Sequence, residues 1–361
     1  MDKNQPKASS SPPTTTTQTQ TPISSVSGEE VQILLAKLNR ASPYLPKTIP
    51  YQDMSSPHHD KQNKPPKHLL QLESMINHLE AHNLLQKNTT FIEFGCGTAK
   101  LSDCINERLQ GESSHIVIDR QTFSNERKRD GTIVARSKYP HQIVRLTMDI
   151  NDFHLETIPT LPRPPVAVSK HLCGPAADAT IQCLATQQTR IPLLVATCCH
   201  HSCQFNSFCN TDFVIHQLGF TTREFDILTI LSAWASIYIS PLSSTSTSTS
   251  TSSTLSSQLS LPLPPPSLTM TNHNEPFPPP LPMEPLPQYL PRTMTTTMVP
   301  SADFERTFHR SDKQQLGKRC KVLLDTARAH HLVSLGYSVR LVQYTSLSME
   351  NHLLIATPKN D

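Results

Sequence analysis

The chain lacks an apolar run of 18 residues, and it lacks an N-terminal stretch with the features of a signal peptide. A transmembrane helix needs about 20 apolar residues, so we expect a soluble protein without membrane contact, in the nucleus or the cytoplasm. Its nine cysteines are then expected to be reduced thiols, because intracellular compartments keep thiols reduced. None of them occurs among residues 1–66.

Hydrophobic residues are also scarce, at 36% of 361 residues, whereas there are 32 prolines. A chain this polar is not expected to form one compact body throughout. We predict a disordered tail at residues 1–28 and a disordered Ser/Thr/Pro-rich insertion at 241–302, because neither stretch has periodic apolar spacing. The rest suffices for one α/β domain in two parts, 67–240 and 303–361, after a partly helical extension at 29–66.

Helical and strand patterns alternate along the predicted domain. The segment KHLLQLESMINHLEAHNLLQ has near-helical apolar spacing, and DFERTFHRSDKQQLGKRCKVLLDTARAHHLVSLG predicts a long helix after the insertion. The strand candidates are TFIEF, HIVID, QIVRLTMD, PVAVSKH, PLLVATC, YSVRLVQYT and NHLLIATP. This alternation predicts a mostly parallel sheet whose carboxyl strand ends share one edge.

The first strand candidate ends in a glycine turn that predicts a nucleoside site. Gly95 and Gly97 form Gly-x-Gly, but Lys100 stands where a dinucleotide site has its third glycine. A carboxylate at Glu93 would repel a pyrophosphate and attract an ammonium group. Asp119 ends the next strand candidate about 20 positions later, a spacing at which an acid reaches ribose hydroxyls. Together these features favour S-adenosylmethionine over NAD, and with it a Rossmann-like class I methyltransferase fold.

Two further strand ends carry candidate site residues. Asp149 follows the third candidate, where it is placed either to accept a hydrogen bond from the adenine amino group or to cap the next helix. Lys170 and His171 end the fourth, where this type of enzyme has the groups beside the methyl acceptor. Their alternative roles are structural, with Lys170 bonding backbone carbonyls and His171 capping a helix.

Four segments resemble a known family. SKHLCGPAAD, CCHHSC, LGKRCKVLLDTAR and YTSLSMENHLLIA are similar to sequences of the eukaryotic tRNA 2′-O-methyltransferases that modify nucleotide 4 of the acceptor stem, the tRNA:m4X modification enzymes. The resemblance covers about 67–240 and 303–357. It implies S-adenosylmethionine as cofactor and tRNA as partner, and no obligate protein partner is evident. The acceptor could instead be another RNA or a protein, or the chain could be an inactive RNA-binding scaffold.

The chain departs from the family pattern in two places. KHLCG is usually followed by Ala-Ala-Thr-Asp, whereas Pro175 begins Pro-Ala-Ala-Asp here, which could alter that loop. Family members also commonly carry N-terminal zinc fingers, for which residues 1–66 offer no cysteine. Any tRNA docking that these fingers supply is therefore expected to be missing here or to come from another surface.

The implied reaction needs a catalytic group for the acceptor hydroxyl, and Lys170 and His171 are the candidates. A ribose 2′-hydroxyl is a poor nucleophile near neutral pH, so a catalytic group has to accept its proton or stabilise the forming alkoxide. Histidine can act as a base at physiological pH, and a neighbouring lysine charge lowers the pKa of its partner. Both residues are the predicted catalytic groups.

Clusters of cations and of thiols complete the candidate set. Basic residues crowd the segment after the second strand and recur in the last helix, where they could bind RNA phosphates or form an ordinary solvated face. The predicted RNA contacts are Arg127, Lys128, Arg129, Arg136, Lys138 and Arg145, with Lys318, Arg319 and Lys321. The Cys/His cluster is Cys198, Cys199, His200, His201, Cys203 and Cys209. We expect it to line the substrate edge and not to bind zinc, because adjacent strand residues point to opposite faces.

Overall fold

The computed structural model describes residues 23–46, 49–56, 65–125, 127–138, 143–158, 165–236 and 308–359. The predicted insertion lies outside these residues, as does most of the predicted tail. The end of that tail belongs to the folded part instead, because Ile23–Ser25 form a 3-10 turn and Val26 is buried. Within the described helices, no segment combines the length and the apolar character needed to cross a bilayer.

Seven strands form one sheet in the order β3-β2-β1-β4-β5-β7-β6. Strands β1 to β5 pair in parallel, and β7 is antiparallel to both of its neighbours. The strands are β1 Thr90–Phe94, β2 Ser114–Asp119, β3 Ile143–Thr147, β4 Val166–Cys173, β5 Leu193–Cys198, β6 Tyr337–Gln343 and β7 His352–Pro358. The predicted mostly parallel, Rossmann-like sheet is confirmed.

Seven α-helices surround or extend the sheet in the described part of the chain. They are α1 Gly28–Arg40, α2 Lys67–Ala81, α3 Lys100–Arg108, α4 Asp130–Arg136, α5 Pro175–Ala185, α6 Thr222–Ser232 and α7 Arg310–Ser334. Short 3-10 turns and the π-helix Phe213–Gln217 join them. Pro175 occupies the first turn of α5, where its missing N–H leaves no hydrogen bond unmade. The departure at Pro175 is therefore compatible with the start of a helix.

Both faces of the sheet are covered, which explains why β1 is buried at every position. Phe91 packs with α2 and α3 side chains such as Met75 and Ile105 on one face. The next residue, Ile92, belongs to the core of the other face, with Ile181 of α5 and Leu332 of α7. Side chains alternate between faces along a strand, so continuous apolar runs follow from two covered faces.

A third core lies among α1, α6 and α7. Leu34 of α1, Leu228 of α6 and Leu324 of α7 are fully buried there. Trp234 is 6% exposed and belongs to the same core. Its ring centroid lies 6.2 Å from that of Phe308, so the described chain resumes beside the point where it stopped.

Candidate active site

The glycine loop after β1 lies against the end of β4. Gly95 has a φ of +59°, and a Cβ there would lie 3.1 Å from Leu172 Cδ2 and 3.4 Å from the carbonyl oxygen of His171. A left-handed conformation and a close approach both favour glycine at this position. The predicted nucleoside loop and the predicted catalytic segment are therefore direct neighbours.

Asp119 joins the end of β2 to this loop. Its Oδ2 accepts a hydrogen bond from the Gly97 N–H at 2.8 Å, and its Oδ1 accepts one from the Gln121 N–H at 2.9 Å. Each carboxylate oxygen has a second lone pair, so both can still accept from a ligand hydroxyl. The geometry is compatible with the predicted ribose contact, which stays a prediction.

Glu93 has a structural role that its position in the sequence did not indicate. The side chain is buried, and one oxygen accepts hydrogen bonds from the N–H of Ser102 at 3.0 Å and from its hydroxyl at 2.6 Å. Burial raises the pKa of Glu93 to about 7, although the Ser102 hydrogen bonds oppose that shift. Glu93 thus ties α3 to β1. Its attraction for a ligand ammonium stays a prediction.

Asp149 begins the 3-10 turn Ile150–Asp152. Its Oδ1 accepts from the backbone N–H of Asn151 at 3.0 Å and from the side-chain amide of the same residue at 2.8 Å. The alternative that Asp149 caps the next helical segment is confirmed. A contact with adenine stays a prediction.

Lys170 and His171 contact each other at the end of β4. The Lys170 ammonium donates a hydrogen bond to His171 Nε2 at 2.8 Å. Burial, together with the charge of Lys170, lowers the pKa of His171 to about 4. Burial also lowers the pKa of Lys170. The pairing register between β4 and β5 shifts between Ser169 and Leu172, so the strand is irregular where the pair occurs.

The pair lines an open pocket of about 370 Å³. Its walls come from the start of α2, the ends of β4 and β5, and the segment between β6 and β7. The lining residues are Lys67, His68, Gln71, Lys170, His171, Ala196, Thr197, Cys198, Tyr344, Ser348 and Glu350. Pockets of this size accommodate small ligands or one part of a larger one.

Most of these walls are not predicted from the sequence. The α2 segment is predicted only as a helix with near-helical apolar spacing, although Lys67 and His68 begin it directly after two prolines. Tyr344 and Glu350 lie in YTSLSMENHLLIA, which was noted for its resemblance and not for a site. Their place on the pocket wall depends on β7 pairing with β5 from across the insertion.

A buried ionic network lies next to the pocket wall. Asp325 of α7 accepts hydrogen bonds from Thr197, His200 and His352 at 3.0, 2.8 and 2.7 Å. Burial opposes ionisation of Asp325, but the two histidines outweigh it and hold the Asp325 pKa well below its usual value. Arg328 binds Asp325 at 3.0 Å and reaches Asp178 through two nitrogens at 3.0 and 2.7 Å.

The predicted Cys/His cluster separates into different environments. Cys198 lines the pocket, whereas His200 is buried against Asp325 and Cys203 Sγ lies 3.1 Å from Arg328 Nη2. Cys209 is buried in the core. The expectation that the cluster as a whole lines the substrate edge was wrong, because the chain turns into the interior directly after β5.

The predicted basic cluster also divides. Arg136 pairs with Asp103 and Lys138 with Glu112. The prediction that Arg145 contacts RNA was wrong. Arg145 binds Asp130 through two nitrogens at 2.7 Å, and its side chain is only 13% exposed. The members of the basic cluster that could still contact RNA are Arg127, Lys128 and the exposed Arg129. The Arg127 guanidinium lies 5.9 Å from the Phe123 ring.

In α7 the predicted cations are similarly divided. Lys321 is 3% exposed and donates to Glu350 at 2.9 Å, so it was wrong as an RNA contact. Arg319 donates to the side chain of Asn39 at 2.8 Å. The pocket offers other cations, at Lys67 and Lys170.

A family model described as Methyltransferase TRM13 matches residues 70–357. The chain belongs to this family. The family and the strand order, with its antiparallel β7, agree on the class I methyltransferase fold. The predicted family is confirmed.

Curated relatives include the tRNA:m(4)X modification enzyme TRM13 homolog of Dictyostelium discoideum, 36% identical over 181 residues, which are 47% of this chain and 34% of the relative. The tRNA:m(4)X modification enzyme TRM13 of Schizosaccharomyces pombe is 32% identical over 230 residues, 59% of this chain and 61% of the relative. The human homolog is 26% identical over 396 aligned positions, 94% of this chain and 76% of the relative. The first relatives are thus matched over about a third to three fifths of their length.

Among solved structures, a sarcosine dimethylglycine methyltransferase from Galdieria sulphuraria matches with a TM-score of 0.29 and 13% identity. The match covers 45% of this chain and 58% of the other. At that level the similarity adds nothing to the strand order.

Proposed function

We propose that this chain transfers a methyl group from S-adenosylmethionine to the 2′-hydroxyl of nucleotide 4 in the tRNA acceptor stem. The observation that carries the proposal is the contact between the Gly95 loop and the end of β4, where Lys170 and His171 line an open pocket. A methyl donor held by that loop and an acceptor in the pocket would lie side by side. The relatives named tRNA:m(4)X modification enzymes support the substrate class.

The residues at the β1 and β2 ends fit S-adenosylmethionine. When bound, this cofactor supplies an electrophilic methyl group on a sulfonium. Asp119 retains lone pairs for ribose hydroxyls, and its carboxylate would oppose the two phosphates of a dinucleotide. The charge at this site therefore favours S-adenosylmethionine over a dinucleotide.

Lys170 and His171 would handle the proton of the acceptor. An ammonium nitrogen has three N–H donors, and one of those on Lys170 is held by His171. The other two can bind the 2′-oxygen or a neighbouring phosphate. In its neutral form, which burial favours, the Lys170 amine would take the 2′-hydroxyl proton, become ammonium and later release that proton to solvent, while His171 orients it through their hydrogen bond. A pair of this kind typically contributes 10²–10⁴-fold in rate.

The start of α2 would guide the RNA backbone to this pair. Lys67 and His68 share the pocket with Lys170. Lysine charges there would attract backbone phosphates without reading a base. Arg127 and Arg129 provide a second basic surface, at the far end of the glycine loop, where the Arg129 N–H donates to the Thr98 carbonyl at 2.9 Å.

The test is methyl transfer from labelled S-adenosylmethionine to unmodified total tRNA by the full chain. We expect Lys170→Ala and His171→Ala to lower the transfer rate by about 10²–10⁴-fold while cofactor affinity changes little. Lys87→Ala, at an exposed surface pair with Glu112, is the matched control and should retain the rate.

The product distinguishes the alternatives. A 2′-O-methylated nucleotide leaves a phosphodiester that resists alkali, because the blocked oxygen cannot attack the phosphate. Label found only at alkali-sensitive positions would contradict the proposed acceptor and favour base methylation. A folded chain that does not bind S-adenosylmethionine in calorimetry would favour the inactive scaffold.

A further inference from the structure

Three thiols meet at the ends of β4 and β5, beside the pocket. Cys173 ends β4, Cys198 ends β5, and Cys199 follows directly. Their three Sγ atoms lie within 4.8 Å of one another, and the Cys173 and Cys198 sulfurs are 3.3 Å apart. Cys173 is exposed, Cys199 is half-buried and Cys198 is buried, so the group is open to solvent on one side.

The three thiols converge although side chains along a strand ordinarily alternate between the two faces of the sheet. Cys173 and Cys198 are paired residues of two parallel strands, so their side chains share a face. Cys199 would point to the opposite face if the strand continued. It instead has a φ of 50° and a ψ of 42°, a left-handed conformation that turns the chain at once. For a residue other than glycine this conformation costs about 1–2 kcal/mol, so the surroundings must stabilise it.

Gly174 allows the same close approach on the β4 side. A Cβ at Gly174 would lie 2.1 Å from Ser202 Oγ, and the Gly174 N–H donates to the Cys198 carbonyl at 3.1 Å. The segment after Cys173 therefore passes directly over the turn after Cys199. From the sequence, the cluster at residues 198–209 is not expected to bind zinc, and that cluster does not include Cys173.

We propose that Cys173, Cys198 and Cys199 bind a zinc ion through their three thiolates, with a water molecule as the fourth ligand. Zinc–sulfur bonds of about 2.3 Å in a tetrahedron place the sulfurs about 3.8 Å apart. The observed separations, 3.3 Å for one pair and at most 4.8 Å for all, enclose that value. Binding converts the three thiols to thiolates and releases their protons to solvent. The ion would join the ends of β4 and β5 beside the acceptor pocket.

The other group with metal-type ligands is a poorer site. His200, Asp325 and His352 also bring their ligand atoms within 4.8 Å of one another. The Asp325 oxygen nearest them already accepts hydrogen bonds from both histidines, and the Arg328 guanidinium lies 3.0 Å from the other oxygen. A divalent cation there would displace two hydrogen bonds and stand close to a buried positive charge. The thiol group, in contrast, reaches solvent through Cys173.

The experiment measures zinc in the full chain purified under reducing conditions, by mass spectrometry of the metal. We expect one zinc per chain. Cobalt substitution should give visible bands of a tetrahedral site together with sulfur-to-cobalt charge-transfer absorption. Cys173→Ser, at the exposed position, should weaken zinc affinity more than about 100-fold, above the range for loss of a supporting residue. Cys104→Ser is the matched control, since Cys104 lies in α3 outside the group, and it should bind zinc as the unchanged protein does.

Folding of each variant is checked by circular dichroism, so that loss of metal is not mistaken for loss of structure. Folded, reduced protein that binds neither zinc nor cobalt overturns the proposal. Equal loss of zinc in Cys104→Ser and Cys173→Ser also overturns it. A disulfide between Cys173 and Cys198 in unreduced protein, with no metal bound after reduction, assigns the group to thiol redox chemistry instead.

Discussion

The two halves of the site edge are built in different ways. At the ends of β1 to β3, polar groups bind partners close in sequence, with Glu93 and Ser102 separated by 9 positions and Gly97 and Asp119 by 22. At the ends of β4 and β5, the buried ionic network joins partners from distant segments. Thr197 and Asp325 are 128 positions apart, and Asp178 and Arg328 are 150. The first half therefore depends on contacts between residues close in sequence. The second half forms only when distant segments of the chain have folded together.

The difference has energetic consequences. Asp119 and Asp149 are partly solvated, so a ligand can replace or add hydrogen bonds at modest cost. Asp325 and Arg328 are completely buried, and a buried charge that loses its partner is strongly destabilising. Changes in the first half should therefore affect binding, and changes in the second should affect folding.

The largest effect is expected from Asp325→Ala. The substitution leaves Arg328 and two histidines without their shared acceptor in the interior, so we expect the free energy of unfolding to fall by about 3–5 kcal/mol. Urea unfolding followed by circular dichroism measures it. Asp212→Ala, whose side chain is 90% exposed, is the control and should change stability by less than about 0.5 kcal/mol. Equal effects of the two substitutions would show that the network contributes nothing specific.

A smaller effect is expected from Asp119→Ala in the local half. Its loss removes the predicted acceptor for ribose hydroxyls, so S-adenosylmethionine should bind about 1–3 kcal/mol more weakly in calorimetry. Glu80→Ala, on the exposed end of α2, serves as control. Unchanged affinity in a folded Asp119→Ala protein would remove this carboxylate from the cofactor site and leave it only its loop contacts.

Acid pH should lower the free energy of unfolding through His115, which lies in the local half of the site edge. This buried β2 residue stacks on Phe91, and burial lowers the pKa of His115 to about 3. The unfolded chain takes up this proton near pH 6.5, so the stability from neutral His115 is complete above that pH and is lost as the pH falls towards 3. Between pH 7.5 and 5.5 the unfolding free energy should fall by about 1.4 kcal/mol from this group.

The measurement compares urea unfolding at the two pH values. His115→Leu should remove that share of the acid sensitivity, whereas His216→Leu, at a 68% exposed position, should retain it. The prediction fails if both variants lose stability with pH as steeply as the unchanged protein.

The smallest effect is expected from deleting residues 243–299. The described chain stops at Ser236 and resumes at Phe308, and the Trp234 and Phe308 rings lie 6.2 Å apart. A shortened connection can therefore span the gap, and loop-closure entropy changes slowly with length. Methyl transfer should stay within about twofold of the unchanged chain. A soluble, folded deletion protein without activity would mean that the insertion takes part in RNA docking.

The sequence predicted the strands well because each is a compact apolar run between turn signals. It also placed Gly95, Asp119, Lys170 and His171 at one edge of the sheet, since they lie in or directly after the carboxyl-terminal parts of parallel strands. Their roles in binding and catalysis stay predictions. These positions depend on local order along the chain.

The remaining features depend on long-range pairing. Lys67 and Glu350 reach the pocket only through tertiary packing, and Arg145 was misassigned because Asp130, its partner, lies in another element. The grouping of Cys173 with Cys198 and Cys199 was missed because Cys173 lies on another strand and Cys199 leaves the strand pattern in a left-handed turn. Alternation rules do not anticipate a residue that breaks the alternation.

The pairing of β7 with β5 should keep the protein together after a cut within the insertion. β7 comes from after the insertion, yet five of its residues pair with β5 from before it, and its other side pairs with β6. Helix α7 adds the fully buried Cys320 and Leu323 to the core on the same side of the cut. A protease that cleaves within residues 243–299 should therefore yield two fragments that run separately in denaturing gels but elute together as one folded particle. Two fragments expressed from separate genes should then be able to assemble into the same sheet.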